Sequence, residues 1–332
     1  MSTAAHKRAG RQVAVTGLGV VTALGPDLAS FRAGLFAGRT GIKAVSVFST
    51  EGVRTHLGAE CAPVVLPRGL DPALTANVSR ADRFGLAAAF EAVRDAGLAA
   101  EGLARAALLF GTGAGGAQNT EDFIVDRRAG KSPPVSALVP HQSSSVTDLV
   151  GRALGVHGPR STIMTACSSS ATAIGYAADR VRLGHVDIAI AGGAEGLCRL
   201  TYLGFNALRA ASAELCRPFD RDRKGLNLGE GAAVLILEEY EHALARGAKI
   251  YALLAGYGIT ADAHHMTAPH PEGEGAARAM RAALDDAGLA PERVGYINAH
   301  GTATPHNDAA ESRAIRTVFG AHAGSLCVSS IK

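Results

Sequence analysis

The sequence predicts an α/β fold of two similar units, with sheets buried under helices. Three observations carry that expectation. Short apolar runs such as Ala106–Phe110 and Val186–Ala191 recur, and segments of helical period follow them. Forty glycines and no tryptophan suit many tight strand-to-helix turns and close backbone approaches. At 332 residues and 47% hydrophobic, the chain can bury two joined cores, and length favours units of about 150 residues each. The chain shows no self-similarity at periods of about 20 to 50 residues, which excludes a solenoid.

Composition narrows the chemistry. A formal charge of +3 with no long basic block argues against a nucleic-acid partner. The five cysteines, Cys61, Cys167, Cys198, Cys216 and Cys327, are scattered without a CxxC pair. That usage fits a reducing, cytoplasmic compartment, with neither a disulfide framework nor a zinc site. The polar stretch over residues 1–11 reads as a flexible N-terminus rather than a signal, and no apolar run reaches the ~18 residues of a membrane span.

In chain order, Val13–Thr16 reads as a strand ended by Gly17-Leu18-Gly19, and Asp27–Gly38 as a helix opened by Pro26. Residues Thr40–Pro67 are loop and short-strand material broken by Pro63 and Pro67. Arg80–Gly97 has helical periodicity and a glycine stop. Ala106–Phe110 is a buried strand, His141–Gly155 a helix, Ser161–Thr165 a strand, and Val186–Ala191 a strand ended by Gly192-Gly193. Leu200–Ala210 is helical, Gly229–Glu239 a strand and Tyr240–Gly247 a short helix. From Ile250 the alternation starts again: strand Tyr251–Ile259, helix Gly275–Gly288, strand Val294–Asn298, helix Asp308–Phe319, strand Ser325–Ser329.

The chemistry concentrates at Cys167. It stands at the turn between the strand Ser161–Thr165 and a helix that opens with Ser168, Ser169 and Ser170. The unsatisfied N–H groups and positive dipole end of that helix face the sulfur, which favours thiolate over thiol. A strand-to-helix turn is also how folds expose a nucleophile. The competing reading is a small buried hydrophobe, which is what most free cysteines are.

Two further motifs carry less. Gly111–Gly116 matches G-x-G-x-x-G after a strand, but the residues after it form an amphipathic piece and a proline loop rather than a second strand ending in an acid. These glycines therefore read as a tight turn lining a pocket. Asp220–Gly225 resembles the opening of a calcium loop, yet Lys224 occupies a ligand position and no glutamate closes it, so a charged turn is expected.

A second reactive group comes after the strand Val294–Ile297, in Asn298-Ala299-His300-Gly301-Thr302. A histidine at a strand end, before a helix, sits where α/β folds place reactive groups. Thr165-Ala166-Cys167-Ser168-Ser169, Arg217-Pro218-Phe219-Asp220 with Leu228-Gly229-Glu230-Gly231, and Asn298-Ala299-His300-Gly301-Thr302 together resemble the type I and II β-ketoacyl-[acyl-carrier-protein] synthases. The likeness runs in order from Val13 to Lys332.

That resemblance implies a thiolase-like fold, with two similar α/β halves in a layered αβαβα arrangement: residues 12–249 carrying the nucleophile and 250–332 beginning the second half. It implies an acyltransferase acting by decarboxylative Claisen condensation, as in fatty acid elongation, without a metal or other cofactor. Cys167 would accept an acyl chain from a carrier-protein thioester, and the Cys167 N–H would serve the thioester oxyanion. His300 would stabilise the enolate formed when malonyl-carrier protein loses CO2. Glu311 and Lys332 match the family's acid and lysine in a polar network behind the site. Ala114 falls where a larger aliphatic residue often narrows the acyl pocket, and Phe205 resembles the pocket phenylalanine. Arg127, Arg128 and Lys131 form a basic cluster fit to dock an acidic acyl carrier protein, although a solvated loop is the plainer reading. A homodimer is implied, with Ser161–Thr165 pairing across its axis.

In the family, the motif containing Lys332 runs on to a Gly-His pair that supplies a second catalytic histidine, so the resemblance leads us to expect a protein longer than these 332 residues. Rival readings are a polyketide or aryl-polyene ketosynthase, a thiolase, or a cysteine hydrolase using Cys167 and His300. The presence of Cys167 argues against a non-catalytic chain-length factor.

Overall fold

The computed structural model describes residues 11–331. The N-terminal stretch expected to be flexible lies, apart from Arg11, outside the described residues, and so does Lys332. In chain order the elements that build the site are β1 (Val13–Val21), α1 (Leu28–Phe36), α2 (Arg80–Asp95), β2 (Ala107–Gly111) and α3 (Ala117–Arg128). They continue with α4 (Ser145–Ala153), β3 (Arg160–Ile163), α5 (Ser169–Arg182), β4 (Ile188–Glu195) and α6 (Arg199–Ala207). The rest are β5 (Gly231–Glu239), α7 (Tyr240–Ala245), β6 (Ala252–Leu253), α8 (Glu274–Ala287), β7 (Tyr296–Asn298), α9 (Pro305–Phe319) and β8 (Cys327–Ser329).

The main sheet has six strands in the order β3-β2-β4-β5-β1-β6. β3, β2 and β4 run parallel, whereas β5 is antiparallel to both β4 and β1. Alternate side chains face opposite layers, as the two-residue strand period dictates. Leu108, Phe110, Ile188, Ile190, Val234 and Ile236 pack with Phe84, Ala88, Ala92, Val146 and Val150 from α2 and α4. Ala107, Leu109, Ala189, Ala191 and Leu237 pack with Ala173, Ala177, Ala178 and Val181 of α5. A helix layer therefore covers each face, which explains why these strands read as continuous apolar runs. The far side of α5 meets the chain beyond β6: the Tyr257 ring fills the space over Gly175, and Arg182 pairs with Asp286 of α8 at 3.0 Å. Beyond α8, β7 and β8 form a separate parallel pair. Among the described residues, no helix is long and apolar enough to cross a membrane.

The elements differ from the sequence expectations chiefly at glycines. β1 continues through Gly17 and Gly19 to Val21, and β4 through Gly192 and Gly193 to Glu195. These glycines do not end strands; they let neighbouring layers come close. A Cβ on Gly19 would lie 1.9 Å from the Ala88 carbonyl oxygen, and one on Gly17 would lie 2.3 Å from that of Ala92. α2 thus rests directly on β1. The long strand expected over Tyr251–Ile259 shortens to Ala252–Leu253, because Gly256 and Gly258 turn to abut the backbone of α8 at Ala287 and Ala279. The helix expected over His141–Gly155 begins only at Ser145, as α4, and the chain just before it, Val135–His141, is a 3₁₀ turn that contains Pro140.

Candidate active site

Cys167 lies on a short 3₁₀ turn, Ala166–Ser168, that joins β3 to α5, and its side chain is exposed. Ala166 holds φ +52°, a left-handed conformation uncommon for a residue with a Cβ. Local hydroxyls hold the bend. The buried Ser169 Oγ accepts from the Thr165 N–H at 2.9 Å and donates to the Ala166 carbonyl at 2.7 Å, while Ser168 Oγ donates to the Thr165 carbonyl at 2.8 Å. The serines that the sequence suggested as helix openers therefore also fasten the elbow.

Beneath that elbow the sheet is bare. Gly111 and Gly193 face each other in the β2–β4 register. A Cβ on Gly111 would lie 2.3 Å from backbone atoms of Ser169 and Ser170, and one on Gly193 would lie 2.8 Å from Ser170 Cβ. The first turn of α5 sits on this glycine floor, so Cys167 is set by backbone contact rather than by a flexible side chain. Two of the other cysteines suit nucleophilic work less. Cys61 and Cys198 are buried; burial and the nearby Glu230 push the Cys61 thiol up to about 12, and burial also raises that of Cys198.

The Gly111–Gly116 turn grips a carboxylate of its own. Glu195, at the end of β4, accepts from the backbone N–H of Gly113 at 2.6 Å and from those of Ala114 and Gly115, each at 2.9 Å. Consecutive amides that could have cradled a phosphate thus enclose a glutamate. Burial pushes the Glu195 carboxyl above the usual carboxylate range, against the opposing pull of those same amides. On the outer side, a Cβ on Gly116 would meet the Pro140 carbonyl oxygen at 2.2 Å. Ala114 is held in this turn, two residues past Thr112, whose carbonyl lies 3.3 Å from Ser169 Oγ.

Phe205 is half-buried on α6. Glu121 of α3 accepts from the first N–H groups of that helix, Arg199 at 2.8 Å and Leu200 at 2.7 Å. α3 therefore links the glycine turn at its start to the helix of Phe205. At its other end Arg127 and Arg128 are exposed, and Lys131 Nζ lies 2.7 Å from Asp126 Oδ1, so part of that basic cluster is neutralised locally.

His300 comes just after β7 and is exposed; the strands that precede His300 and Cys167 belong to separate sheets. Glu311, on α9, accepts from the His300 N–H at 2.7 Å and the Gly301 N–H at 2.9 Å. Its carboxylate thus holds the loop that presents the imidazole. A partner unremarked in the sequence stands one turn earlier: buried Asp308 accepts from the Phe219 N–H at 2.7 Å and the Ala303 N–H at 3.1 Å. Both residues have positive φ, +63° and +62°. Asp308 ties Arg217-Pro218-Phe219-Asp220 to the histidine loop, and Arg223 Nε lies 3.6 Å from its Oδ2. The i, i+3 spacing of Asp308 and Glu311 was the available signal, since it puts two acids on one helix face. Glu230 of Leu228-Gly229-Glu230-Gly231 is a third carboxylate anchor, buried like Asp308, ion-paired with Arg80 and accepting from the Cys61 and Leu197 N–H groups. Lys332, expected near Glu311, lies outside the described residues.

A layered α/β fold with an exposed cysteine on a strand-to-helix elbow is an arrangement suited to acyl transfer. Residues 10–243 match the family model for the β-ketoacyl synthase N-terminal domain, and residues 251–332 match that for its C-terminal domain. The chain is 40% identical to 3-oxoacyl-[acyl-carrier-protein] synthase 2 of Synechocystis sp. over 97% of its own length and 80% of that protein. Among solved structures, the ishigamide ketosynthase/chain length factor matches with TM-score 0.90 and 35% identity, covering 98% of this chain and 81% of that one. A type II polyketide synthase acyl-carrier protein in complex with its ketosynthase bound to the hexaketide matches with TM-score 0.87 and 32% identity, covering 97% and 81%. The chain belongs to the β-ketoacyl synthase family and is an acyltransferase with the thiolase-like fold.

Proposed function

We propose that the chain condenses an acyl-enzyme thioester with malonyl-acyl carrier protein, with Cys167 as the nucleophile, as in fatty acid elongation. The observation that carries this reading is the exposed Cys167 on its serine-locked elbow. The Cys167 thiolate attacks the acyl thioester carbonyl, and the carrier thiolate leaves. Malonyl-carrier protein then releases CO2; its carbanion attacks the acyl-enzyme carbonyl, and Cys167 departs as thiolate, giving the 3-ketoacyl product. His300, held through Glu311, donates to the enolate oxygen during decarboxylation. A ketosynthase of a polyketide pathway is the second reading, favoured by the likeness to a ketosynthase bound to a hexaketide. Supplying purified enzyme with acyl- and malonyl-carrier protein tests the assignment: malonyl-dependent carbon–carbon bond formation supports it, and release of free acid alone indicates a hydrolase.

The partners come from the same reading. An acidic acyl carrier protein docks near Arg127 and Arg128, assisted by Lys131. Reversing both arginine charges should raise the carrier-protein KM and leave small thioester analogues unaffected; equal effects on both substrates would rule out docking there. β3 is an edge of the main sheet with Ser161 exposed, which suits strand pairing across a two-fold axis in a homodimer. The nucleophile half comprises residues 12–249, the second half begins at residue 250, and the location is cytoplasmic. Ala114 and Phe205 line the acyl channel. Ala114→Ile should shorten the acyl chains accepted, read as the ratio of kcat/KM for long over short acyl thioesters.

A further inference from the structure

We propose that Glu195 is a positioning residue for acyl-chain selectivity, holding the Gly113–Gly115 backbone and thereby fixing where Ala114 meets the acyl chain. The inference rests on the reading that Ala114 lines the channel.

Three features support it. Glu195 spends both carboxylate oxygens on three successive backbone N–H groups, Oε2 on Gly113 and Oε1 on Ala114 and Gly115. The turn adopts a left-handed step at Gly115, φ +52°, which brings those N–H groups to one side. The carboxylate leaves no room for drift: a Cβ on Gly113 would come within 2.9 Å of Oε2, and Gly116 is backed by Pro140.

Glu195 is itself rooted. It ends β4, the strand beside β2, and two residues later the Leu197 N–H is held at 3.1 Å by the buried Glu230. The turn that carries Ala114 is thus clamped to the central sheet, not merely closed on itself. With the clamp intact, Ala114 presents a fixed wall; loosening it lets the wall yield to longer chains. Glu195→Gln is the informative change, because the amide keeps one accepting oxygen but faces one of these N–H groups with a donor. Glu195→Asp keeps the charge while drawing the carboxylate back by one methylene.

The experiment measures kcat/KM for a series of saturated acyl-carrier-protein thioesters from short to long, in the full-length enzyme, for the wild type, Glu195→Gln, Glu195→Asp and Ala114→Ile. We expect Ala114→Ile to lower the long-to-short ratio about tenfold, the scale of one methylene in an apolar pocket. Glu195→Gln should move the same ratio several-fold the other way, with Glu195→Asp between Gln and wild type. A merely structural glutamate would scale every chain length alike, and that result overturns the proposal. A shifted Ala114→Ile profile beside an unshifted Glu195→Gln profile also overturns it, while leaving the channel reading intact. An unchanged Ala114→Ile profile removes the channel reading and the proposal together.

Discussion

Glu311→Ala is expected to slow condensation about 10²-fold while sparing much of the acylation of Cys167. The carboxylate is the acceptor for two adjacent backbone N–H groups, of His300 and Gly301, at the point where the loop leaves β7. That loop has little slack: Gly301 has φ +43°, and a Cβ there would strike Ser330 at 2.4 Å and Phe219 at 3.0 Å. Hydrogen bonds to a charged acceptor contribute about 1.5–3 kcal/mol each. Losing both releases the segment that aims the imidazole. Cys167 stands on the turn that follows β3 of the main sheet, so its acylation depends on other contacts. Burst measurement of acyl-enzyme formation, set beside malonyl decarboxylation, separates the two steps. Equal losses in both would show that Glu311 supports the fold rather than His300.

Gly111→Ala should be damaging out of proportion to one methyl group. The new Cβ would be placed 2.3 Å from the backbone of Ser169 and Ser170, and backbone at the start of a helix cannot swing aside. α5 must lift, and Cys167 travels with it. Overpacking of this kind costs about 1–3 kcal/mol in stability, and a displacement near 1 Å at the nucleophile costs about 10²-fold in rate. Denaturant unfolding and the rate of Cys167 alkylation by iodoacetamide would report the two effects. Wild-type values for both would contradict the role assigned to the glycine floor.

The places of Cys167 and His300 were legible because each comes after an apolar strand and precedes a helical segment, a purely local pattern. The helix Arg80–Asp95 was legible from its helical periodicity and the glycine that stops it; in the structure Ser79 and Asp82 add a capping box at its start. Glycines inside strands misled, because a glycine that ends a strand and one that admits a neighbouring layer look alike in sequence. Gly17 and Gly19 differ from turn glycines only through Ala88 and Ala92, some seventy residues away. The Glu195 clamp was hidden likewise, since nothing in its spacing from Gly113 announces that β2 and β4 are neighbours. Asp308 was nearer to view, sharing a helix face with Glu311, but its partner Phe219 belongs to another motif altogether.

Cys167 as the acyl-accepting nucleophile is the centre of the proposed mechanism, and trapping the acyl-enzyme tests it most directly. The enzyme would be incubated with an acyl-carrier-protein thioester without malonyl donor, digested, and the peptides weighed. The prediction is a single acyl group on the peptide containing Cys167, discharged as 3-ketoacyl product when malonyl-carrier protein is added. Acylation at another residue, or an acyl group that leaves only as free acid, would contradict it.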